Sequence, residues 1–231
     1  MIKKFIDKLF GKSGTPEAAT KRVKKSPYGT RQDIGVKDHG INPKLVDERA
    51  WDVVHTLKEA GFDTPFSQIK QAHHYSSLAE ARLAISRVGQ QIAENGLPDA
   101  LTPFTIAFTG YGNVSQGAQE IIGLLPVIEI SPDELLSLKK RSKIPDNLIY
   151  KIIFREEHLV EPIEPGIEFD LQDYYTEPEK FRSVFEKYIP HLDMMINCVY
   201  WDIRYPRLVT KDYLQQLFAQ GTPKLKVIGD I

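Results

Sequence analysis

Two glycines one residue apart, Gly110 and Gly112, carry the clearest chemical signal in the sequence. They follow an apolar run rich in β-formers, residues 104–109, and precede an amphipathic pattern through Val114, Ala118, Ile121, Ile122 and Leu125. That order predicts a strand, a tight turn and a helix. Gly110 can take the sharp turn off the strand, and Gly112 lacks the Cβ that would hold a pyrophosphate away from the backbone. The amides of Asn113 and Val114, opening the helix, would meet such a group with no acceptor of their own and at the positive end of the helix dipole. The chemistry suits a dinucleotide. The third glycine of the usual G-x-G-x-x-G spacing is replaced by Ser115, and Gly117 follows two residues later. The candidate cradle is therefore Gly110, Gly112, Asn113, Val114 and Gly117.

An acidic residue about 20 positions past the first glycine would bind the ribose hydroxyls. Glu129 stands at that distance, and Ser131 two residues on. Ser131-Pro132-Asp133-Glu134 also reads as the N-cap, N1 proline and box partner of a helix, so Ser131 is either a cap or a ribose contact. His73, His74 and Tyr75 either line a cleft or lie on the surface. His158, behind Glu156 and Glu157, has no metal-ligand spacing, and the cluster reads as a solvated loop. Cys198 has no base beside it and reads as a small core residue. Trp201, Pro206 and Arg207 follow a buried strand, on the side where open α/β sheets bind ligands.

The elements that must position these residues alternate. A helix is expected from Ser77, with Glu80 completing a capping box and Leu78, Ala81, Ile85, Val88 and Ile92 toward the core, and it stops at Gly96. The glycine turn and its helix come next, then a strand over 127–130, a helix from Pro132 and an apolar segment over 147–154. A helical spacing runs through Phe181, Val184 and Phe185 over 177–188, followed by a strand over 194–200, a helix over 210–219 and a strand over 225–231. The prediction is a Rossmann-like α/β fold, with a mostly parallel sheet and helices on both faces.

The 231 residues, 42% hydrophobic and 26% charged, suffice for one or two soluble domains. A single cysteine rules out an internal disulfide and a cysteine-only metal site, and it points to a reducing compartment. With no apolar run near the ~20 residues of a membrane span and no signal-peptide pattern at the start, the expected location is cytoplasmic, without membrane contact. Residues 1–31 hold nine Lys or Arg against Asp7 and Glu17, and the rest carries a surplus of eight negative charges, for a net charge of −1. Residues 1–42 thus read as a basic flexible leader, which is either a solvated tail or a contact for RNA through residues 1–31. Residues 43–231, entered by a helix over 43–60, form the body.

His39-Gly40-Ile41-Asn42-Pro43-Lys44-Leu45-Val46, with Ala60-Gly61-Phe62, resembles the segment before the catalytic domain of bacterial poly(A) polymerases. The Gly-Gly and Asp-x-Asp motifs of that family's metal site do not occur, so the resemblance implies no nucleotidyl transfer. From Thr64 onward the chain resembles the lysine-ketoglutarate reductase part of bifunctional aminoadipic semialdehyde synthases, in the alanine dehydrogenase and transhydrogenase superfamily. The motifs that carry this are Thr64-Pro65-Phe66, Phe108-Thr109-Gly110-Tyr111-Gly112-Asn113-Val114-Ser115-Gln116-Gly117, Tyr200-Trp201, Pro206-Arg207-Leu208 and Gly229-Asp230-Ile231. The resemblance implies an NADP or NAD cofactor that reduces the imine of lysine and 2-oxoglutarate to saccharopine, with Asp230 on the cofactor side. In that family the ribose acid falls where this chain has Ser131, which favours NADP. The family's acid/base lysine and histidine lie in a preceding substrate domain whose place the leader takes. The expectation is a dinucleotide-binding domain, incomplete as a catalyst unless another chain completes it, with sheet edges open to oligomer formation.

Overall fold

The computed structural model describes residues 64–200 and 202–230. The basic leader, its likeness to poly(A) polymerases, the helix expected over 43–60, Trp201 and Ile231 lie outside the described residues.

Helix α1 (Leu78–Asn95) opens at Ser77, whose side chain accepts from the Glu80 amide at 3.2 Å. The Glu80 carboxylate reaches one residue further back than expected. It accepts from the amide and hydroxyl of Ser76, at 2.8 and 2.7 Å, and these bonds hold it below the usual carboxylate range. Gly96, at φ 73°, stops the helix. Leu78, expected to face the core, is 65% exposed. Val88, Gly89 and Ile92 are buried, and Ile85 packs partly buried against the same core.

Strand β1 (Phe104–Thr109) is buried along its whole length, as a central parallel strand covered on both faces must be. Helix α2 (Asn113–Ile122) leads to the short strand β2 (Val127–Glu129), and helix α3 (Pro132–Ser137) precedes β3 (Ile149–Phe154). After helix α4 (Glu156–Leu159) the antiparallel pair β4 (Val160–Pro162) and β5 (Phe181–Ser183) encloses helix α5 (Leu171–Thr176). Strand β6 (Met194–Asn197), helix α6 (Lys211–Ala219) and β7 (Val227–Asp230) complete the order.

The main sheet runs β2-β3-β1-β6-β7, with each neighbouring pair parallel. The alternation of side chains divides the core between its faces. Phe104, Ile106 and Phe108 of β1 pack with Val88 and Ile92 of α1 and with Ala118 and Ile122 of α2. On the other face Ala107 of β1 and Tyr150, Ile152 and Phe154 of β3 pack with Leu135 of α3 and Leu214 of α6. The Rossmann-like α/β architecture is thus present, with helices on both faces.

The helix expected over 177–188 does not form. In its place are a 3-10 turn at Pro178–Lys180, strand β5, and a second 3-10 turn at Phe185–Lys187. Phe181 instead pairs with Pro162 across the small sheet and packs edge-on against Tyr174 at 5.3 Å and Phe169 at 5.8 Å. Strand pairing and aromatic contacts outside the segment outweigh its local helical spacing.

At the N-terminal ends of β1 and β6 lies a buried charged network. Asp193, 2% exposed, accepts from the amide of Thr105 at 2.8 Å and its hydroxyl at 3.0 Å, and it pairs with Lys224. Lys224 Nζ also donates to the Pro103 carbonyl at 2.8 Å. Burial pushes Asp193 up and Lys224 down, and the mutual attraction pulls each back.

Candidate functional site

The connection from β1 leaves toward β3 and β2, and that from β6 leaves toward β7. The C-terminal ends of β1 and β6 therefore flank the switch point, where open α/β sheets bind ligands. Gly110 sits at this point with φ 90°, a value that L side chains rarely adopt. A Cβ there would come within 3.1 Å of Val199 Cγ1. Its amide donates to the Phe154 carbonyl at 2.9 Å, which ties the turn to β3. Gly112 is the N-cap of α2, and a Cβ on it would meet nothing within 4 Å. The space over the first turn of α2 is open, and the amides of Asn113 and Val114 have no acceptor within the helix. Val114 itself is 48% exposed. These residues fit a pyrophosphate, since the backbone can be approached without a side chain in the way.

Ser115 is fully buried where the usual motif has its third glycine, and its hydroxyl accepts from Gln119 Nε2 at 2.9 Å. Gly117 lies on the exposed side of α2, with nothing within 4 Å of a Cβ. Three strand ends are tied together across the edge. Thr109 Oγ1 donates to Asn197 Oδ1 at 2.6 Å, and Asn197 Nδ2 donates to Asp230 Oδ1 at 2.8 Å. Asp230 thus stands on the same edge of the sheet as Gly110, and the register pairs Thr109 with Asn197 and Asn197 with Asp230. Cys198 is half-buried beside this line, and burial pushes its thiol up while Ser115 pulls it back.

Ser131 caps α3 in a reciprocal box with Glu134, at 3.1 and 2.9 Å. It follows β2, which is separated from β1 by β3, so the end of β2 lies roughly 10 Å from that of β1. Glu129, the acid at the expected spacing, pairs with Lys151 at 2.8 Å. His73 and His74 stack at 4.0 Å on a 3-10 turn. His158 belongs to α4 rather than to a solvated loop, and its Nδ1 accepts from the Arg155 amide at 3.0 Å.

Sequence reasoning missed the pair beside the glycine turn. The Arg155 guanidinium lies 4.5 Å over the ring of Tyr111, the residue between the two glycines. Next to it, Glu156 Oε1 accepts from the Tyr175 hydroxyl at 2.7 Å, and Oε2 is buried without a partner. The available signal was a basic residue immediately after the apolar run 149–154. Among the described residues, no group of three or more His, Cys, Asp or Glu could hold a metal ion, and no helix is long and apolar enough to cross a membrane.

A glycine turn between a central parallel strand and a helix, at the switch point of a sheet covered on both faces, defines a Rossmann-like α/β protein. The chain is 39% identical over 173 residues to an alpha-aminoadipic semialdehyde synthase of Arabidopsis thaliana, covering 71% of this chain and 16% of the relative. The mitochondrial alpha-aminoadipic semialdehyde synthases of Bos taurus and Mus musculus are 36% and 35% identical, over 71% of this chain and 18% and 17% of theirs. Over these residues the chain is homologous to the alpha-aminoadipic semialdehyde synthases, and it spans less than a fifth of the length of those relatives. No family profile matches the chain.

Proposed function

We propose that the chain binds a nicotinamide dinucleotide and is the nucleotide-binding portion of an oxidoreductase of lysine-ketoglutarate reductase type, in lysine degradation. The observation that carries the reading is the open space over Gly112 at the start of α2, beside a Gly110 that only glycine suits. In this reading the amides of Asn113 and Val114 hold the pyrophosphate. Asp230 borders the cofactor from the end of β7, held there by Asn197. Gly117 borders the cradle from the exposed side of α2, and Ser131 stands farther off, at the end of β2 two strands away. The bound cofactor supplies the hydride that reduces the imine of lysine and 2-oxoglutarate to saccharopine, and the protein orients it. NADP is preferred to NAD, because the position where the resembled family carries its ribose acid holds Ser131. Because the aligned relatives are several times longer, turnover in this reading draws on further residues, supplied by another chain or segment. In this reading the protein works in the cytoplasm, a reducing compartment that a single cysteine suits.

NADPH at a concentration ~100 times its Kd should stabilise the native state by about 2.7 kcal/mol, read as a rise in melting temperature. Gly112→Asp puts a side chain and a negative charge where the pyrophosphate would lie, and it should abolish the rise. No rise with either NADPH or NADH at millimolar concentration would refute the reading.

A separate reading applies to the leader alone, and its excess of seven positive charges favours it. Contact with RNA through residues 1–31 should weaken steeply with salt and vanish when those residues are removed. RNA binding that survives the truncation would eliminate this role.

A further inference from the structure

We propose that Arg155, at the end of β3, is the residue that reads the 2′-phosphate of NADP(H). The inference rests on the dinucleotide reading above and assigns a specificity-determining residue to it.

In doubly wound nucleotide folds the second strand lies beside the first, so the residue that follows it meets the adenosine ribose. In this sheet β3 occupies that place and β2 is displaced to the edge. The residues beside the ribose are then those after Phe154, and not Glu129 or Ser131. The register pairs Thr109 with Phe154, so Arg155 is level with Gly110, one strand spacing of about 4.8 Å away.

The side chains around Arg155 prepare a cation at that point. Its backbone is held by the bond from its amide to His158 Nδ1, and the His158 ring meets Phe154 edge-on at 6.4 Å. Its guanidinium rests on Tyr111, which is itself part of the glycine turn, and both residues are exposed. The ring directs the cation toward the cradle without neutralising it. Among the described residues no carboxylate forms an ion pair with Arg155. The adjacent Glu156 is turned inward, one oxygen on Tyr175 and the other buried without a partner. Glu157 is the exposed carboxylate nearby and serves as a control. A planar guanidinium, free to make two parallel bonds and backed by an aromatic face, matches a phosphate monoester better than a ribose hydroxyl.

The test is a binding titration of the full chain with NADPH and with NADH, followed by the fluorescence of the reduced nicotinamide. Arg155→Gln should weaken NADPH about 10- to 100-fold, the worth of a charge-assisted contact, and leave NADH within about twofold. Arg155→Lys should recover only part of the loss, because an ammonium lacks the fork and the stacked plane. Glu157→Gln should leave the ratio of the two affinities unchanged. Equal loss of both cofactors in Arg155→Gln, or no loss of NADPH, would overturn the assignment while leaving the dinucleotide reading intact. Failure of the wild-type chain to bind either cofactor would remove both.

Discussion

Replacing Lys224 by Met is expected to destabilise the fold by about 3–5 kcal/mol, measured by denaturant unfolding near neutral pH. The reason is what the substitution leaves behind. Asp193 is 2% exposed, and without the ammonium its charge would be compensated only by the Thr105 amide and hydroxyl. Transfer of an unpaired carboxylate into such a site is costly enough that protonation becomes the easier course. The sign of the pH dependence follows from this. Burial already raises Asp193 in the native protein against the pull of Lys224, and losing Lys224 raises it further. A carboxyl whose folded pKa lies above its unfolded one contributes stability below the unfolded pKa and loses it as pH rises through the folded pKa. The Lys224→Met penalty should therefore shrink as pH falls into the acid range. A deficit that is the same at acid and neutral pH would show that the carboxylate is compensated in some other way.

Phe154→Ala is expected to cost about 3–5 kcal/mol in the same measurement. The ring is fully buried at the end of β3, edge-on to Phe185 at 5.0 Å and to Tyr188 at 4.8 Å. Its removal leaves a cavity between the main sheet and the segment that carries β5. Phe154→Leu, which fills more of that space, should lose less. The substitution also bears on the site, since the Phe154 carbonyl receives the Gly110 amide and the next residue is Arg155. A loss below ~1 kcal/mol would mean that the surrounding aromatic groups close over the gap.

The parts of the fold that were legible in the sequence are those in which a local rule and the tertiary structure agree. The run 104–109 and the two glycines predict a strand and a turn, and Gly110 at φ 90° has the conformation that only glycine takes readily. The capping box at Ser131 and Glu134 is formed as read. The helix over 210–219 also stands, with the Thr210 hydroxyl accepting from the Tyr213 amide. Segment 177–188 failed for the opposite reason. Its aromatic spacing suits a helix, but Phe181 and Phe185 are placed by partners far away in sequence. The ribose reader was illegible for a related reason. Counting 20 residues from Gly110 assumes that the next strand lies alongside, and nothing local in residues 127–129 states that another strand will come between. Arg155 becomes a candidate only once the register places it level with Gly110.

The interposed position of β3 also makes the two sides of the sheet unequal in how they are held. When β2 has been made, its neighbour among the described residues, β3, still lies ahead in sequence. The β1–β3 ladder joins residues such as Phe104 and Ile149 across all of α2, β2 and α3. Strand β2, three residues long and paired with β3, is expected to open in native-state fluctuations before the central strands do, which hydrogen exchange would read. The glycine turn, by contrast, ends the strand that β3 and β6 hold on both sides, so the cradle opens only with the middle of the sheet and not with its margin.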